Sequence, residues 1–258
     1  MAVDALSVAG RVAVVLGGTS GIGRVLALGL ADAGAHVVAS ARRVDLIASV
    51  AREIETRGVR TLRCPSDVTD RASLLALRSR VVDEFGQIDV LVNCAGRTKR
   101  GPTLDFSEQD WDAIVECNLT GTFRSCQVFG APMLERGYGR IINIASLSTF
   151  VAFQEVAAYG VSKAAVAALT KSLAIEWGPR GVNVNAIAPG VFKTDLNQEL
   201  LEGTGRGQEL LTRTPLGRFG RVEELAGAAV FLASEAASFV NGEILVVDGG
   251  FLASGVNQ

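Results

Sequence analysis

The sequence predicts an α/β fold: one doubly wound domain in which about seven parallel strands lie between two layers of helices. Three observations predict it. Short β-branched runs alternate with longer helical stretches along the chain. The runs are continuously apolar instead of alternating in polarity, as strands covered on both faces are. A glycine-rich turn separates the first run from the first helical stretch, where sheets of this kind meet a ligand.

The elements follow in order. Val12–Leu16 is the first strand and Ile22–Ala33 the first helix; His36–Ser40 with Asp45–Arg57, and Val59–Arg63 with Arg71–Phe85, repeat the pair. Ile88–Val92 comes next, followed by a helical stretch around Trp111 and another from Gly121 to Glu135. Arg140–Ile144, a helix over Ala158–Trp177, Val182–Ile187, a helix near Glu223–Ser234 and the run Ile244–Val247 complete the set. Right-handed crossovers are expected throughout. The polar, glycine-rich stretch Glu202–Gln208 interrupts a helical pattern, so residues 191–215 read as a substrate flap beyond a strand end.

With 258 residues, 48% of them apolar and 20% charged, the chain has material for one large core, and a single domain over 1–258 is expected. A net charge of −2 with interspersed signs argues against a nucleic-acid or membrane-surface partner. The most apolar late segment, Ala226 to Val240, is broken by Glu235 and is too short to span a bilayer. No leader pattern opens the chain, so a cytoplasmic location and a small-molecule partner are expected. Cys64, Cys94, Cys117 and Cys126 form no C-x-x-C pair and read as buried apolar residues, with no metal site.

Gly17-Gly18-Thr19-Ser20-Gly21-Ile22-Gly23 lies between the first strand and the first helix. There a pyrophosphate meets backbone N–H groups and the positive end of a helix dipole, and glycine admits close approach. The spacing G-x-x-x-G-x-G differs from G-x-G-x-x-G, so a tight turn without a ligand stays open as the alternative. Where an NAD-binding chain places an acid for the ribose 2′-hydroxyl, this one reads Ser40-Ala41-Arg42-Arg43. A small residue followed by two guanidinium groups leaves room for a 2′-phosphate and offers it planar hydrogen bonds. NADP(H) is therefore expected over NAD(H), unless Arg42 and Arg43 only cap a solvated turn.

Tyr159 and Lys163 stand four residues apart in an alanine-rich helical stretch, on one face. A tyrosine that exchanges a proton near neutral pH needs its pKa brought from about 10 to about 7, at a cost of roughly 4 kcal/mol. An ammonium about 4 Å away supplies on the order of 4 kcal/mol at an effective dielectric near 20. Alone, such a pair more often marks a core edge and a solvated face. Ser146, however, follows Ile141-Ile142-Asn143-Ile144-Ala145 at a strand C-terminus, where its hydroxyl is placed to hold a substrate oxygen.

Together with Asn93-Cys94-Ala95-Gly96 and Asn118-Leu119-Thr120-Gly121, these segments resemble the short-chain dehydrogenase/reductase family over essentially the whole chain. The resemblance implies a Rossmann domain that moves a hydride between a nicotinamide and a carbonyl or secondary alcohol. It implies that the loop of Gly17, Thr19, Ser20, Gly21, Ile22 and Gly23 holds the pyrophosphate, that Asp67 with Val68 meets the adenine, and that Asn93, Ala95 and Gly96 close the adenine side. Ala41, Arg42 and Arg43 fall at the 2′ position. Asn118 would support a proton-relay water, Ser146 orient the substrate oxygen, Tyr159 act as acid and base, and Lys163 assist the tyrosine and bind the nicotinamide ribose. Pro189, Gly190 and Thr194 would lie against the carboxamide, and Val247-Asp248-Gly249-Gly250 would help pair subunits of a homotetramer. Leu16 and Cys94 depart from the usual residues, which touches local packing rather than the reaction.

Arg97, Lys99 and Arg100 either greet a carboxylate or phosphate or form a solvated basic turn. The tail from Gly249 to Gln258 and the stretch Leu211–Pro215 look similar to sugar-acid members, which implies a substrate such as gluconate or 5-ketogluconate; a 3-oxoacyl thioester is the alternative. A methyltransferase and a non-catalytic dinucleotide sensor are remoter alternatives, since neither needs Tyr159 or Lys163.

Overall fold

The computed structural model describes residues 5–194 and 198–255. Residues 195–197 of the expected flap, and residues 256–258 of the tail, lie outside the described residues.

In chain order the main elements are β1 (Val12–Leu16), α1 (Gly21–Asp32), β2 (His36–Ser40), α2 (Val44–Glu55), α3 (Arg71–Phe85), β3 (Val90–Asn93) and α4 (Glu108–Val115). After a π-helical turn over Glu116–Thr120 come α5 (Gly121–Arg136), β4 (Gly139–Ile144), α6 (Ala157–Trp177), β5 (Val182–Pro189), α7 (Gln198–Leu201), α8 (Gly205–Thr212), α9 (Ala226–Ala233) and β6 (Ile244–Val247). The helix boundaries follow local chemistry. Asp70 caps α3 by accepting from the Ala72 N–H, and the helix stops at Gly86, whose φ of 80° suits a residue without a Cβ. Ser107 caps α4 by accepting from the Asp110 N–H.

All strand pairings are parallel, in the order β2-β1-β3-β4-β5-β6. The chain leaves β1 to one side for β2 and returns on the other side as β3, which opens a crevice at the carboxyl ends of β1 and β3. Leu16 lies in register with Ser40 and Asn93, and Asn93 with Asn143, so the strand ends that carry the motifs are aligned. One face of the sheet packs against α1, α2 and α9 through Leu26, Leu30, Val50, Ile54 and Leu232. The other packs against α3, α5 and α6 through Leu74, Leu77, Phe129, Met133 and Trp177. Burial on both faces explains why the strands read as unbroken apolar runs.

Six strands, not seven, make up the sheet among the described residues. Residues 59–63, expected as a strand, run beside β2 without extending the ladder. The Val37 N–H donates to the Arg60 carbonyl (3.1 Å) and the Ser66 N–H to the Ala41 carbonyl (3.0 Å). Side chains do the rest: Arg60 pairs with Glu84 on α3 (2.5 Å) and Arg63 with Glu55 on α2 (2.7 Å). Charged side chains bound to the neighbouring helices hold this edge segment where backbone pairing would otherwise have continued.

Within the expected flap, α7 and α8 are separated by a short turn at Gly203 (φ 68°). Thr204 then caps α8 by accepting from the Gly207 N–H, so Gly205–Gln208 is helical, not loop. Among the described residues no helix is long and apolar enough to cross a membrane, and no group of three or more His, Cys, Asp or Glu side chains is placed to hold a metal ion.

Candidate active site

A cavity of about 1110 Å³ opens at the carboxyl ends of β1, β3, β4 and β5. Its floor on the β1 side is the glycine loop. Gly17 has φ 75°, and a Cβ there would lie 2.7 Å from Ala95 Cα, so the loops after β1 and β3 touch across the crevice. At Gly23 a Cβ would run into the Gly17 carbonyl oxygen. The side chain of Ser20, at the N-cap of α1, caps no backbone N–H, and the first turn carries no acid. Thr19, Ser20, Gly21, Ile22 and Gly23 line the cavity, so the uncapped N–H groups and positive dipole end of α1 are placed for an anion.

Beyond β2, Ser40 is turned inward: its Oγ donates to the Cys64 carbonyl (2.6 Å) and bonds Ser66 Oγ (2.8 Å). Ala41, Arg42 and Arg43 line the cavity. Arg43 Nη2 donates to Ser20 Oγ at 3.3 Å, which brings its guanidinium against the glycine loop, and Arg42 makes no ion pair among the described residues. Asp67 and Val68 form the next stretch of wall. Burial pushes the Asp67 carboxyl up, but the Thr69 N–H and O–H (2.9 and 2.7 Å) and the Arg42 and Arg124 cations outweigh it and hold the group below its ordinary range. No carboxylate stands at residues 40–43 to repel a 2′-phosphate. The donor set fits a phosphorylated dinucleotide.

The loop after β3 supplies Ala95 and Gly96 to the wall, whereas Asn93 lies beneath it, 4% exposed. Asn93 Nδ2 donates to Asn143 Oδ1 (2.8 Å), and Asn143 Nδ2 donates to Thr170 Oγ1 (2.9 Å), which ties β3, β4 and α6 together under the cavity.

The chemical residues stand where β4 and α6 meet. Ser146 follows β4 and caps a 3₁₀ turn, its Oγ accepting from the Ser148 N–H (3.1 Å). Tyr159 lies in the first turn of α6 and Lys163 one turn on, and all three line the cavity. Lys163 is 5% exposed; its Nζ lies 5.8 Å from the Tyr159 ring centroid and donates to the Ile144 carbonyl at 2.6 Å. Asn118 is not in the wall. It sits fully buried in the π-helical turn, a type of turn often found at functional sites. Its Oδ1 accepts from the Arg97 N–H (2.8 Å), and its Nδ2 donates to the Arg97 carbonyl (3.0 Å) and to Ser162 Oγ (3.0 Å). Ser162 Oγ in turn donates to the Tyr159 carbonyl (2.7 Å). Asn118 thus clamps the β3 loop to the helix that carries Tyr159.

Pro189, the last residue of β5, and Gly190 after it reach the cavity; a Cβ on Gly190 would lie 2.5 Å from Asp248 Cα, which seats this turn against the segment after β6. Thr194 lines the same side. Phe153, Val156, Leu201, Arg206 and Leu210 also face the cavity, and sequence reasoning missed them. They carry no motif spacing; for Leu201, Arg206 and Leu210 the one available signal is their place in or near the glycine-rich stretch, and Phe153 and Val156 have none. Ser162, three residues after Tyr159 on the helix, was missed as well. Of the four cysteines, Cys64 and Cys126 are buried as expected, but Cys94 and Cys117 are only half-buried and line the cavity. Burial pushes the Cys94 thiol up to about 11 against the field of Lys163, and raises the Cys117 thiol too, so both stay protonated near neutral pH.

Residues 17–252 match the family model described as Enoyl-(Acyl carrier protein) reductase. The chain is 40% identical to a gluconate 5-dehydrogenase of Gluconobacter oxydans, over 97% of this chain and 98% of that one. It is 45% identical to a D-threitol dehydrogenase of Mycolicibacterium smegmatis, over 94% and 93% respectively. Among solved structures, a gluconate 5-dehydrogenase from Burkholderia cenocepacia in complex with NADP and tartrate superimposes with a TM-score of 0.95 at 40% identity, covering 99% of this chain and 100% of that one.

Proposed function

The chain belongs to the short-chain dehydrogenase/reductase family, and from that premise we propose that it is an NADP(H)-dependent oxidoreductase that interconverts a secondary alcohol and a ketone on a sugar acid of the gluconate type. One observation carries the reading: Ser146, Tyr159 and Lys163 face the same cavity as the uncapped N-terminus of α1. The NADP-bound relative supports the cofactor, and Arg42 and Arg43 support NADP(H) over NAD(H).

When bound, the nicotinamide supplies or accepts the hydride. The glycine loop and the α1 N-terminus hold the pyrophosphate, Asp67 and Val68 border the adenine, and Pro189, Gly190 and Thr194 border the nicotinamide end. The Tyr159 hydroxyl gives its proton to the substrate oxygen in reduction and takes one back in oxidation. Ser146 donates a hydrogen bond to that oxygen. Lys163, held by the Ile144 carbonyl, sets its Nζ beside the phenol ring. Asn118 acts by position, fixing the Arg97 backbone against Ser162. Residues 191–215 act as a flap over the substrate. A cytoplasmic homotetramer belongs to the same reading, and the exposed apolar side chains Phe123, Val161 and Ile175 support pairing with further copies.

The test is a panel of 5-ketogluconate, simple ketones and a 3-oxoacyl thioester, followed by the loss of NADPH or NADH absorbance. Faster turnover of 5-ketogluconate with NADPH is expected. A strong preference for NADH overturns the cofactor assignment, and faster turnover of the thioester overturns the substrate assignment.

A further inference from the structure

The relatives divide between acids and a neutral polyol, and the charges around the cavity bear on that choice. Among the described residues two carboxylates line it, Asp67 and Glu116. Asp67 is answered by Thr69 and neighbouring cations, and Glu116 accepts from Arg124 at 2.8 Å. Arg42 and Arg43 lie on the β2 side, away from the reacting groups. Among the described residues that line the substrate end, the remaining charges are all positive: Lys163, Arg97 and Arg206. Lys163 is held by the Ile144 carbonyl.

The basic run after β3 divides in the same way. Lys99 bonds Asp110 at 2.5 Å and Arg100 bonds Glu155 at 2.6 Å, so both face internal partners. Arg97 makes no ion pair among the described residues, yet its backbone is fixed on both sides by Asn118. Arg206 also makes no ion pair among the described residues; its hydrogen bond is a long one, Nη1 to the Gln154 carbonyl at 3.5 Å. It stands one turn before Leu210 on α8, on the same face, and both line the cavity. Leu210 packs with Leu147, Leu201 and Phe251, so the helix that presents the guanidinium is seated on the body of the protein.

We propose that Arg97 and Arg206 read the carboxylate of the substrate, so that the site selects a polyhydroxy acid over the neutral polyol of the same carbon skeleton. This rests on the dehydrogenase reading of the cavity. A guanidinium offers a carboxylate paired, planar, charge-assisted hydrogen bonds, and a hydroxymethyl group in the same place would leave both cations uncompensated. The pair acts on specificity, one arginine from the loop after β3 and one from α8, on top of the shared Ser146, Tyr159 and Lys163 machinery.

The experiment compares kcat/KM for D-gluconate and D-glucitol with NADP in the wild type and in Arg206→Gln, Arg97→Gln and Arg206→Lys. In parallel, gluconate is titrated by calorimetry into the NADPH-loaded enzyme, a pair that cannot turn over. The gluconate-over-glucitol ratio should fall about tenfold or more in each glutamine variant, chiefly through KM, with the calorimetric affinity falling alongside. Arg206→Lys should keep part of the preference, because it keeps the charge and loses the planar fork. Thermal unfolding checks that each variant is folded, and exposed Arg97 gives a second variant should Arg206→Gln be unstable. A wild type that prefers glucitol, or glutamine variants with unchanged ratio and affinity, overturn the proposal while leaving the dehydrogenase reading in place. If no alcohol or ketone turns over with either cofactor, the dehydrogenase reading falls, and equal gluconate affinity in wild type and variants then overturns the arginine assignment on its own.

Discussion

Asn118 uses both ends of its amide on the Arg97 backbone and one N–H on Ser162, and through Ser162 it reaches the carbonyl of Tyr159. Replacing it by alanine removes two half-buried hydrogen bonds to the Arg97 backbone and a buried one to Ser162, at about 0.5–1.5 kcal/mol each. Asn118→Ala should therefore lower the unfolding midpoint and reduce kcat at least tenfold, with a smaller change in NADPH affinity; thermal melts, steady-state rates and a fluorescence titration check the three parts. Legibility divides at this scale. Tyr159 and Lys163 were legible because four residues is one helical turn, and Ser146 because it ends an apolar strand run. The partnership of Asn118 with Ser162 spans 44 residues and has no local signature. Asn118, expected beside a proton-relay water, has both ends of its amide on the Arg97 backbone.

The glycine loop and the start of α1 work as one element. Gly17 and Gly23 leave no room for a Cβ, and the helix end that they expose has no side-chain cap of its own. Arg43 closes one side of it through Ser20, while Arg42 lines the cavity without an ion pair among the described residues. Arg42→Ala should raise KM for NADPH by about ten- to a hundredfold and narrow the gap to NADH, the size expected from one charge-assisted hydrogen bond of about 1.5–3 kcal/mol; initial rates over a range of both cofactors measure it. The loop was legible from spacing and position. The strand expected at 59–63 was misjudged because its apolar residues resemble a strand in isolation, whereas Arg60 and Arg63 tie it to α3 and α2. Pairing at a sheet edge depends on such neighbours, which a run of five residues does not contain.

At the scale of the whole molecule, the sheet order reverses between β1 and β3, and the aligned strand ends bring residues from 17 to 210 to one cavity. The parallel sheet was legible because burial on both faces leaves an unbroken apolar imprint, visible in Val12–Leu16 and in Val90, Leu91 and Val92. The substrate end was not. Arg206, Leu201 and Leu210 reach the cavity only because α7 and α8 fold back over it, and that depends on packing with Leu147 and Phe251 from distant parts of the chain. The central claim is that the Tyr159 hydroxyl moves the proton. Its most direct measurement is turnover of Tyr159→Phe beside NADPH binding by fluorescence titration. The account predicts a loss of turnover of about a hundredfold or more, in the range that general acid–base catalysis contributes, with NADPH affinity nearly unchanged. Turnover equal to the wild type would place the proton donor elsewhere and contradict it.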